Sequence, residues 1–394
     1  MRRRTSIPLG SLTPLRSFVA VVAALTCVSG SAAASARDPA PNSPPPAFAV
    51  VAFDSSNQEW GVAAASGWIA VGARSIDAQA GAGAWLGLCN PERAAGRRAI
   101  DHMGRGLGAR AALDSLLGEG LLGADQQMAL IDRDGLTAGY TGSRCPTWAG
   151  ERAGRGYLCQ GMLLRAEEAV TAMARSFEAA RGTLGERMLA ALAAGEALAF
   201  VRGHAQSAAL LIVRDGGGLD GRSDRLTDLR VDASSDAIAE LRRVYAIHAT
   251  TFLPAAHARF GDDARRRGDS ISAEREYEKA EAGFRSAVAR SPKDPDALNE
   301  LSWFLATHGR ELEEAIRYAQ AAIIARPDDP NLHDTLAEAQ YRSGVLADAI
   351  ESAERAVRLS GGAGRYVERL ERLMRERSTL GGAAGSDSTA KPSR

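Results

Sequence analysis

The sequence predicts an α+β domain followed by an all-α domain of helical repeats. Between residues 47 and 250, short apolar runs and helical patterns occur in blocks rather than in strict alternation. Between residues 258 and 378, small residues repeat at intervals of 34 or 35 positions. The chain has 394 residues, more than one core usually supports, so two domains are expected.

The α+β domain is predicted to open with a β-hairpin. Two apolar runs, Phe48–Phe53 and Trp60–Ala65, flank a polar loop at residues 54–59. The pattern then predicts a helical region at 91–117 that is broken near residues 104–108, followed by a hairpin at 128–140 that turns at Asp134-Gly135. After the hairpin it predicts a helix at 166–194, strands at 207–213 and 228–232, and a helix at 235–248.

The second domain is predicted from its self-similarity. Positions of one unit correspond to positions 35 residues later, where alanine or proline again occurs. Ala280, Phe284, Ala287 and Pro292 correspond to Ala315, Ala319, Ala322 and Pro327. Ala315, Ala319 and Ala322 correspond in turn, 34 residues later, to Ala349, Ala353 and Ala356. This spacing resembles the tetratricopeptide repeat, a helix-turn-helix unit. Asp294-Pro295 and Asp329-Pro330 are predicted helix starts, and Tyr366–Arg377 a capping helix. Residues 379–394 read as a disordered tail.

The first 36 residues have the order of a secretory signal peptide. Arginines precede an apolar run at residues 18–28, and small residues follow at 29–36. A membrane anchor is the alternative, but the run is short of the roughly 20 residues that span a bilayer. We therefore expect a secreted or periplasmic protein with no membrane span after cleavage, led by a proline-rich segment at 37–46.

Composition narrows the possible partners and cofactors. Lysine plus arginine and aspartate plus glutamate number 48 each, which gives no charge-based indication of a nucleic-acid partner. The six histidines have no metal-ligand spacing, and Gly216–Gly218 lacks the residues of a phosphate loop, so we expect no metal and no cofactor. After cleavage, Cys89, Cys145 and Cys159 remain, and a Cys145–Cys159 bridge is one of the pairings left open.

The opening AFAVVA at residues 47–52 resembles the start of an uncharacterised bacterial family, domain of unknown function 1028. Further matching segments follow in family order: Asn90-Pro91, Thr141-Gly142, Trp148–Gly150, Tyr157–Gly161, Gln206–Leu211, Ser223–Arg225, Asp228–Asp232 and Glu240–Arg243. That family is placed in the N-terminal-nucleophile (Ntn) hydrolase superfamily. The resemblance implies an Ntn-hydrolase-like αββα four-layer sandwich at residues 47–250.

The resemblance also implies a threonine nucleophile at the head of the first strand, where this chain has Ala47. Ntn hydrolases attack with an N-terminal Thr, Ser or Cys whose free α-amine acts as the base. A second departure lies after Gln160-Gly161, where the family usually continues with asparagine and this chain has Met162.

Other residues are candidates for the catalytic role that Ala47 cannot perform. Ser43 could become N-terminal, but Pro44–Pro46 would hold it away from the sheet, and Ser66 could act with another base. Asp54 is a candidate to orient a reacting amine, with ordinary turn chemistry as the alternative. Four residues that match the family pattern are candidates to line a pocket together with Ala47: Asn90, Gln160, Gln206 and Ser207. The alternative is that their side chains only make structural hydrogen bonds.

Two functions follow from these expectations. The first is an exported protein whose remodelled Ntn-like domain binds a peptide, amide or cell-wall fragment, while the repeats bind a protein partner. The alternative is an active amidohydrolase or peptidase with an unconventional nucleophile such as Ser66.

Overall fold

A computed structural model describes residues 45–200 and 204–386. The predicted signal peptide, most of the proline-rich lead and the last eight residues therefore lie outside the described residues. The strands are β1 (Ala47–Asp54), β2 (Glu59–Ser66), β3 (Ile76–Gln79), β4 (Gly83–Cys89), β5 (Gln126–Asp132), β6 (Thr137–Thr141), β7 (Gly150–Gly154), β8 (Tyr157–Met162), β9 (Ser207–Val213) and β10 (Arg225–Val231).

Helices surround these strands and then form the C-terminal part. They are α1 (Val71–Ser75), α2 (Arg93–Gly104), α3 (Ala109–Gly118), α4 (Glu168–Ala179), α5 (Leu184–Ala199), α6 (Ala237–Thr251), α7 (Leu253–Arg266), α8 (Ser270–Arg290), α9 (Pro295–Thr307), α10 (Leu312–Ala325), α11 (Pro330–Arg342), α12 (Leu346–Leu359) and α13 (Gly364–Ser386).

The strands form two antiparallel sheets. The six-stranded sheet has the order β10-β9-β2-β1-β8-β7, and the four-stranded sheet has the order β3-β4-β5-β6. Strand β1 is central, because β2 and β8 both pair with it along its length. Its side chains are apolar on both faces, as expected for a strand covered on each side.

The sheets and helices stack in four layers. On β1, Phe48 and Val50 face the core formed with α4, α5 and α6, whereas Ala49 and Val51 face the other sheet. A third core lies between the four-stranded sheet and helices α2 and α3, around Trp85. The predicted αββα arrangement of the first domain is confirmed.

The turn chemistry explains where several elements end. The predicted hairpin at 128–140 is confirmed as β5 and β6, with Gly135 at φ 79° between them, and the predicted break near 104–108 separates α2 from α3. The single helix predicted at 166–194 is wrong, because α4 ends at Ala179 and α5 begins at Leu184. Gly182 has φ 103° there, and Thr183 and Glu186 form a capping box that starts α5.

Four strands were not predicted from the sequence. Strands β3 and β4 lie in the glycine- and alanine-rich stretch at 76–89, β7 has the sequence GERAG and β8 has the sequence YLCQGM. None of them has the run of β-branched or aromatic residues that usually indicates a strand.

The helical repeats are confirmed at α9–α10 and α11–α12. Pro295 and Pro330 each occupy the first helical position, and the carboxylates of Asp294 and Asp329 accept backbone N–H groups of the first turn. The period-34 alanines Ala315 and Ala349 are fully buried.

The capping helix is longer than predicted. Helix α13 runs from Gly364 to Ser386, so residues 379–386, assigned to a disordered tail, continue the helix. The segment TLGGAAGS contains no proline that would end it.

The α+β domain shares its core with α7, which packs against α8 to form the first helical pair. Leu253, Ala256 and Phe260 of α7 belong to the same buried cluster as the inner residues of α4, α5 and α6. Helix α7 also follows α6 after a single residue, so the border placed near residues 250–258 is not an exposed linker.

Because Phe260 is only 7% exposed, we predict that Phe260→Ala lowers the free energy of unfolding by about 3 kcal/mol. Chemical denaturation followed by tryptophan fluorescence measures this change. Leu219→Ala is the control, because Leu219 is 78% exposed and should cost little. Equal effects of the two substitutions would contradict a shared core.

Candidate functional site

Ala47, at the position that the resemblance assigns to a nucleophile, is the first residue of β1. It lies in register with Ser66 of β2 and Met162 of β8, and its methyl group is 6% exposed within the core between the sheets. The chain continues ahead of it, since the carbonyl of Pro46 accepts a hydrogen bond from the Gly67 amide at 2.9 Å. Within this continuous strand, position 47 has neither a nucleophilic atom nor a free α-amine.

Two serine hydroxyls lie near this end of the sheet, and both are engaged by backbone. The Oγ of Ser66 accepts a hydrogen bond from the Trp68 amide at 3.0 Å. The Oγ of Ser207 donates to the Trp68 carbonyl at 2.5 Å and accepts from the Val71 amide at 3.1 Å. In the described parts of the chain, neither hydroxyl hydrogen-bonds to a basic side chain. Their geometry is that of groups that fix the connection from β2 to α1.

Asp54 lies at the opposite end of β1 from Ala47. Seven residues of extended strand, or about 23 Å, separate the two positions. The Asp54 carboxylate accepts hydrogen bonds from the Ser56 amide at 2.9 Å and from Asn57 Nδ2 at 3.0 Å. It therefore shapes the β1–β2 turn and does not approach Ser66.

Gln206 and Asn90 are surface residues. The backbone amide of Gln206 donates to the Ser66 carbonyl at 2.8 Å, while its side chain is exposed. Asn90 donates from Nδ2 to Asp125 at 3.3 Å. The backbone of Gln206 thus contacts Ser66, but its side chain does not. Asn90 directly follows β4, which belongs to the other sheet.

Gln160 is fully buried and ties the two sheets together. Its Nε2 donates to the carbonyls of Met128 and Tyr140 in the other sheet, both at 3.2 Å. Gln127, which the sequence did not single out, donates in the reverse direction to the Gly161 carbonyl at 3.0 Å. The Nε2 of each amide makes structural hydrogen bonds between the sheets, whereas the Oε1 of each is buried without a partner among the described residues. Both side chains are buried, so they do not line an open pocket.

Cys89, Cys145 and Cys159 have free thiols, and the fold shows which two of them are neighbours. Cys159 faces the helical core behind the larger sheet. Cys89 pairs with Gln126, whose carbonyl accepts the amide of Gly142, and the carbonyl of Gly142 accepts the amide of Cys145. The Cys145 side chain lies beside Cys89, and burial raises the pKa of Cys89 to about 12. These positions favour a Cys89–Cys145 pairing over the Cys145–Cys159 pairing that the sequence left open.

Treatment with diamide is predicted to join Cys89 to Cys145 and to leave Cys159 as a thiol. The two thiols lose two protons and two electrons to the diazene, which becomes a hydrazine. Alkylation followed by peptide mass mapping identifies the linked pair, and Cys159→Ala should give the same link. A linked peptide that contains Cys159 would contradict the geometry.

A buried cluster of charged side chains lies where the α+β domain meets α7 and α8. Glu276 is at its centre: its carboxylate is 2.7 Å from His257 Nδ1, 2.9 Å from Lys279 Nζ and 3.1 Å from Arg214 Nη2. Glu59 of β2 is 3.8 Å from Arg214 Nη1 and is 5% exposed. We name these five residues the junction cluster. They come from four separate elements and loops, so their spacing in the sequence does not indicate a site.

The surroundings of the junction cluster set its charges. Burial raises the pKa of Glu59 to about 7, and the positive charge of Arg214 only partly opposes this. Burial also disfavours ionisation of Glu276, but the hydrogen bond from His257 and the charges of Arg214 and Lys279 outweigh it and lower its pKa. Burial lowers the pKa of His257, so the neutral imidazole donates its Nδ1–H to Glu276.

A cavity of about 420 Å³ opens beside the junction cluster. Three members of the junction cluster, Glu59, His257 and Lys279, contribute to its lining, together with Glu186. Much of the remaining lining is apolar and includes Ile212, Leu226, Ala249, Leu253 and Pro254. Its size and its position between domains are typical of small-molecule sites. We name it the junction cavity.

Among residues 45–200 and 204–386, one cluster of potential metal ligands forms, although none was expected from the sequence. The ligand atoms of Glu196, His204 and Asp236 lie within 4.8 Å of one another. Glu196 accepts the amide of Ala205, and Asp236 caps α6 through the amide of Ala239, so both carboxylates already have structural partners.

The comparisons identify the first domain. The profile of the family of unknown function DUF1028 matches residues 47–241, which is about half of the chain. Residues 47–241 form a DUF1028 domain. A DUF1028 protein of known structure, SPO2555 from Silicibacter pomeroyi, is 26% identical, with a TM-score of 0.48. The match covers 52% of this chain and 91% of that protein.

The helical part is similar to solved tetratricopeptide domains. The Sgt2 domain from Aspergillus fumigatus is 20% identical, with 36% of this chain and 87% of that chain covered and a TM-score of 0.26. The first tetratricopeptide domain of human RPAP3 is 12% identical, with a TM-score of 0.26. The match covers 32% of this chain and 94% of that domain. No curated protein matches the chain.

The raised pKa of Glu59 predicts a pH-dependent stability. Because the folded state holds the proton more tightly than the unfolded state, this contribution is complete below the ordinary pKa of 4.5 and is lost as the pH rises through about 7. At 1.36 kcal/mol per pKa unit, the loss reaches about 3 kcal/mol. Glu59→Gln should therefore reduce the fall in unfolding free energy between pH 5 and pH 8.

Urea unfolding at both pH values measures that difference. Glu313→Gln is the matched control, since Glu313 is exposed on α10. An equal fall in wild type and Glu59→Gln would contradict the assignment.

Proposed function

We propose that this chain is an exported binding protein whose DUF1028 domain has lost the Ntn nucleophile. The observation that carries the proposal is Ala47, an inert residue within a continuous central strand. The N-terminal-nucleophile mechanism needs a nucleophilic side chain and a free amine at the same residue. Position 47 lacks both, and its methyl group is buried in the core between the sheets.

The alternative is an amidohydrolase or peptidase that uses Ser66. Ser66 is buried, and its Oγ accepts a backbone hydrogen bond from Trp68. A serine nucleophile is normally activated by a base within about 3.2 Å, and Asp54 lies at the far end of the strand. This geometry favours the binding protein over the hydrolase.

The proposed ligand is a peptide, amide or cell-wall fragment, and the junction cavity is the site that best suits it. The inner positions at the head of β1 are filled by Ala47 and Met162, and the Gln160 amide is used between the sheets. The junction cavity instead combines open volume with polar groups beside an apolar wall.

The helical repeats are proposed to bind a protein partner. Stacked helical pairs provide an extended surface that is characteristic of such scaffolds. Trp303 of α9 is 36% exposed, and the guanidinium of Arg369 on α13 lies 5.3 Å from its ring. Tryptophan and arginine are the residues that most often dominate binding energies at protein interfaces.

Export is proposed from the order of residues 1–36. Within the described residues, no helix is long and apolar enough to cross a membrane. From the signal-peptide order alone, the proposed location is the periplasm or the cell exterior, where the repeats and the junction cavity would meet their partners.

Wild-type protein is predicted to hydrolyse no peptide amide and to resist labelling by a β-lactone electrophile. Ala47→Thr should behave the same way, because the threonine would still follow Pro46 and would have no free amine. Intact-mass spectrometry after incubation measures labelling, and a fluorogenic peptide panel measures hydrolysis. Wild-type labelling that is abolished by Ser66→Ala would favour the hydrolase and overturn the proposal.

A further inference from the structure

The junction cavity contains polar groups that the protein itself leaves unsatisfied. Glu59 is buried and lines the cavity, yet its carboxylate accepts no hydrogen bond from the described parts of the chain, and its nearest cationic atom is 3.8 Å away. A buried carboxyl that makes no hydrogen bond is costly, even with a cation 3.8 Å away, so such a group is normally matched by a partner. In either protonation state the Glu59 carboxyl has an oxygen that can accept, so the missing partner is a hydrogen-bond donor.

His257 provides a second acceptor in the lining of the junction cavity. Its Nδ1–H is committed to Glu276 at 2.7 Å, which leaves Nε2 of the neutral ring as a bare acceptor. Among the described residues no side chain or backbone group hydrogen-bonds to that Nε2. Two acceptors in the same cavity are matched by N–H or O–H groups on the ligand.

Lys279 supplies the complementary donor. Two of its three ammonium protons go to Glu276 at 2.9 Å and to Asn57 Oδ1 at 2.5 Å. The third remains for an acceptor on a ligand, because an ammonium group has three donors. The cavity thus offers acceptors and a donor together.

The cavity lining carries charges of both signs, which disfavours a strongly charged ligand. Its charged residues are Glu59, Glu186 and Lys279. A cation would meet the like charge of Lys279, and an anion would meet Glu186 and, when it is ionised, Glu59 in a poorly solvated space. A neutral ligand avoids both penalties.

We infer that the junction cavity binds a neutral carboxamide with an apolar substituent. The amide N–H groups donate to Glu59 and His257, the amide carbonyl accepts from Lys279, and the apolar substituent contacts Leu226, Leu253 and Pro254. This inference rests on the proposed function and gives its ligand a chemical class and a location.

The probe is N-acetyl-L-leucinamide, titrated into the full chain and followed by ligand-observed NMR. Saturable binding is expected, with N-acetyl-L-leucine, its carboxylate analogue, bound at least tenfold more weakly. Lys279→Met should weaken binding of the amide at least tenfold. Equal binding of the two probes, or no saturable binding of either, would overturn the inference.

A blocking variant locates the site. Ala282 is exposed and lines the cavity, so Ala282→Trp should close the cavity and weaken binding at least tenfold without disturbing the core. Ala289→Trp on the same helix is the matched control, since Ala289 is exposed and outside the cavity lining. Binding that survives Ala282→Trp would overturn the assignment to this cavity.

The same spectra separate this inference from the proposed function. Release of N-acetyl-L-leucine from the amide would contradict the binding-protein proposal, whereas loss of binding without turnover contradicts only the ligand assignment.

Discussion

The structure depends on the pairing of β1 at the centre of the larger sheet. From Ala47 onward the strand is bonded to β2 on one side and β8 on the other, and its two faces supply two of the three cores of the α+β domain. This double pairing fixes the four layers. It also fixes what stands at the head of the strand, where Ala47 is held as an ordinary residue of a continuous chain.

The same sheet carries the junction with the helical repeats. Arg214 directly follows β9, which pairs with β2, and its guanidinium lies 3.8 Å from the ring centroid of Phe260 on α7. The Arg214 side chain then reaches Glu276 on α8. A strand end, an aromatic ring and an ion pair thus join the DUF1028 domain to the first helical pair, and the junction cavity lies beside that contact.

Local patterns predicted much of the fold. The apolar runs of β1 and β2, the Asp134-Gly135 turn and the Asp-Pro helix starts each follow from neighbouring residues in the chain. The alanine period predicted the repeats because close helix crossings need small side chains. The division of 166–194 into two helices depends on Gly182 and the Thr183 cap, a local signal that the helical pattern around it obscured.

The candidate site was less accessible to sequence reasoning. The resemblance led to Ala47, but Ser66 and Asp54 lie at opposite ends of the β1–β2 pair. Glu59 follows a turn and Glu276 lies on a charged helix, and each reads as a solvated residue when taken alone. Only the packing of α8 on the first domain brings them to the same arginine and leaves Glu59 buried. Such a site depends on tertiary contacts between residues distant in sequence.

The most direct test of the central claim is the N-terminal sequence of the mature protein purified from its own cells. The account predicts that residues ahead of Ala47 are retained and that the chain starts near Arg37, so that β1 has no free amine at its head. A mature chain that begins at Ser43, with that serine held at the head of β1, would contradict it.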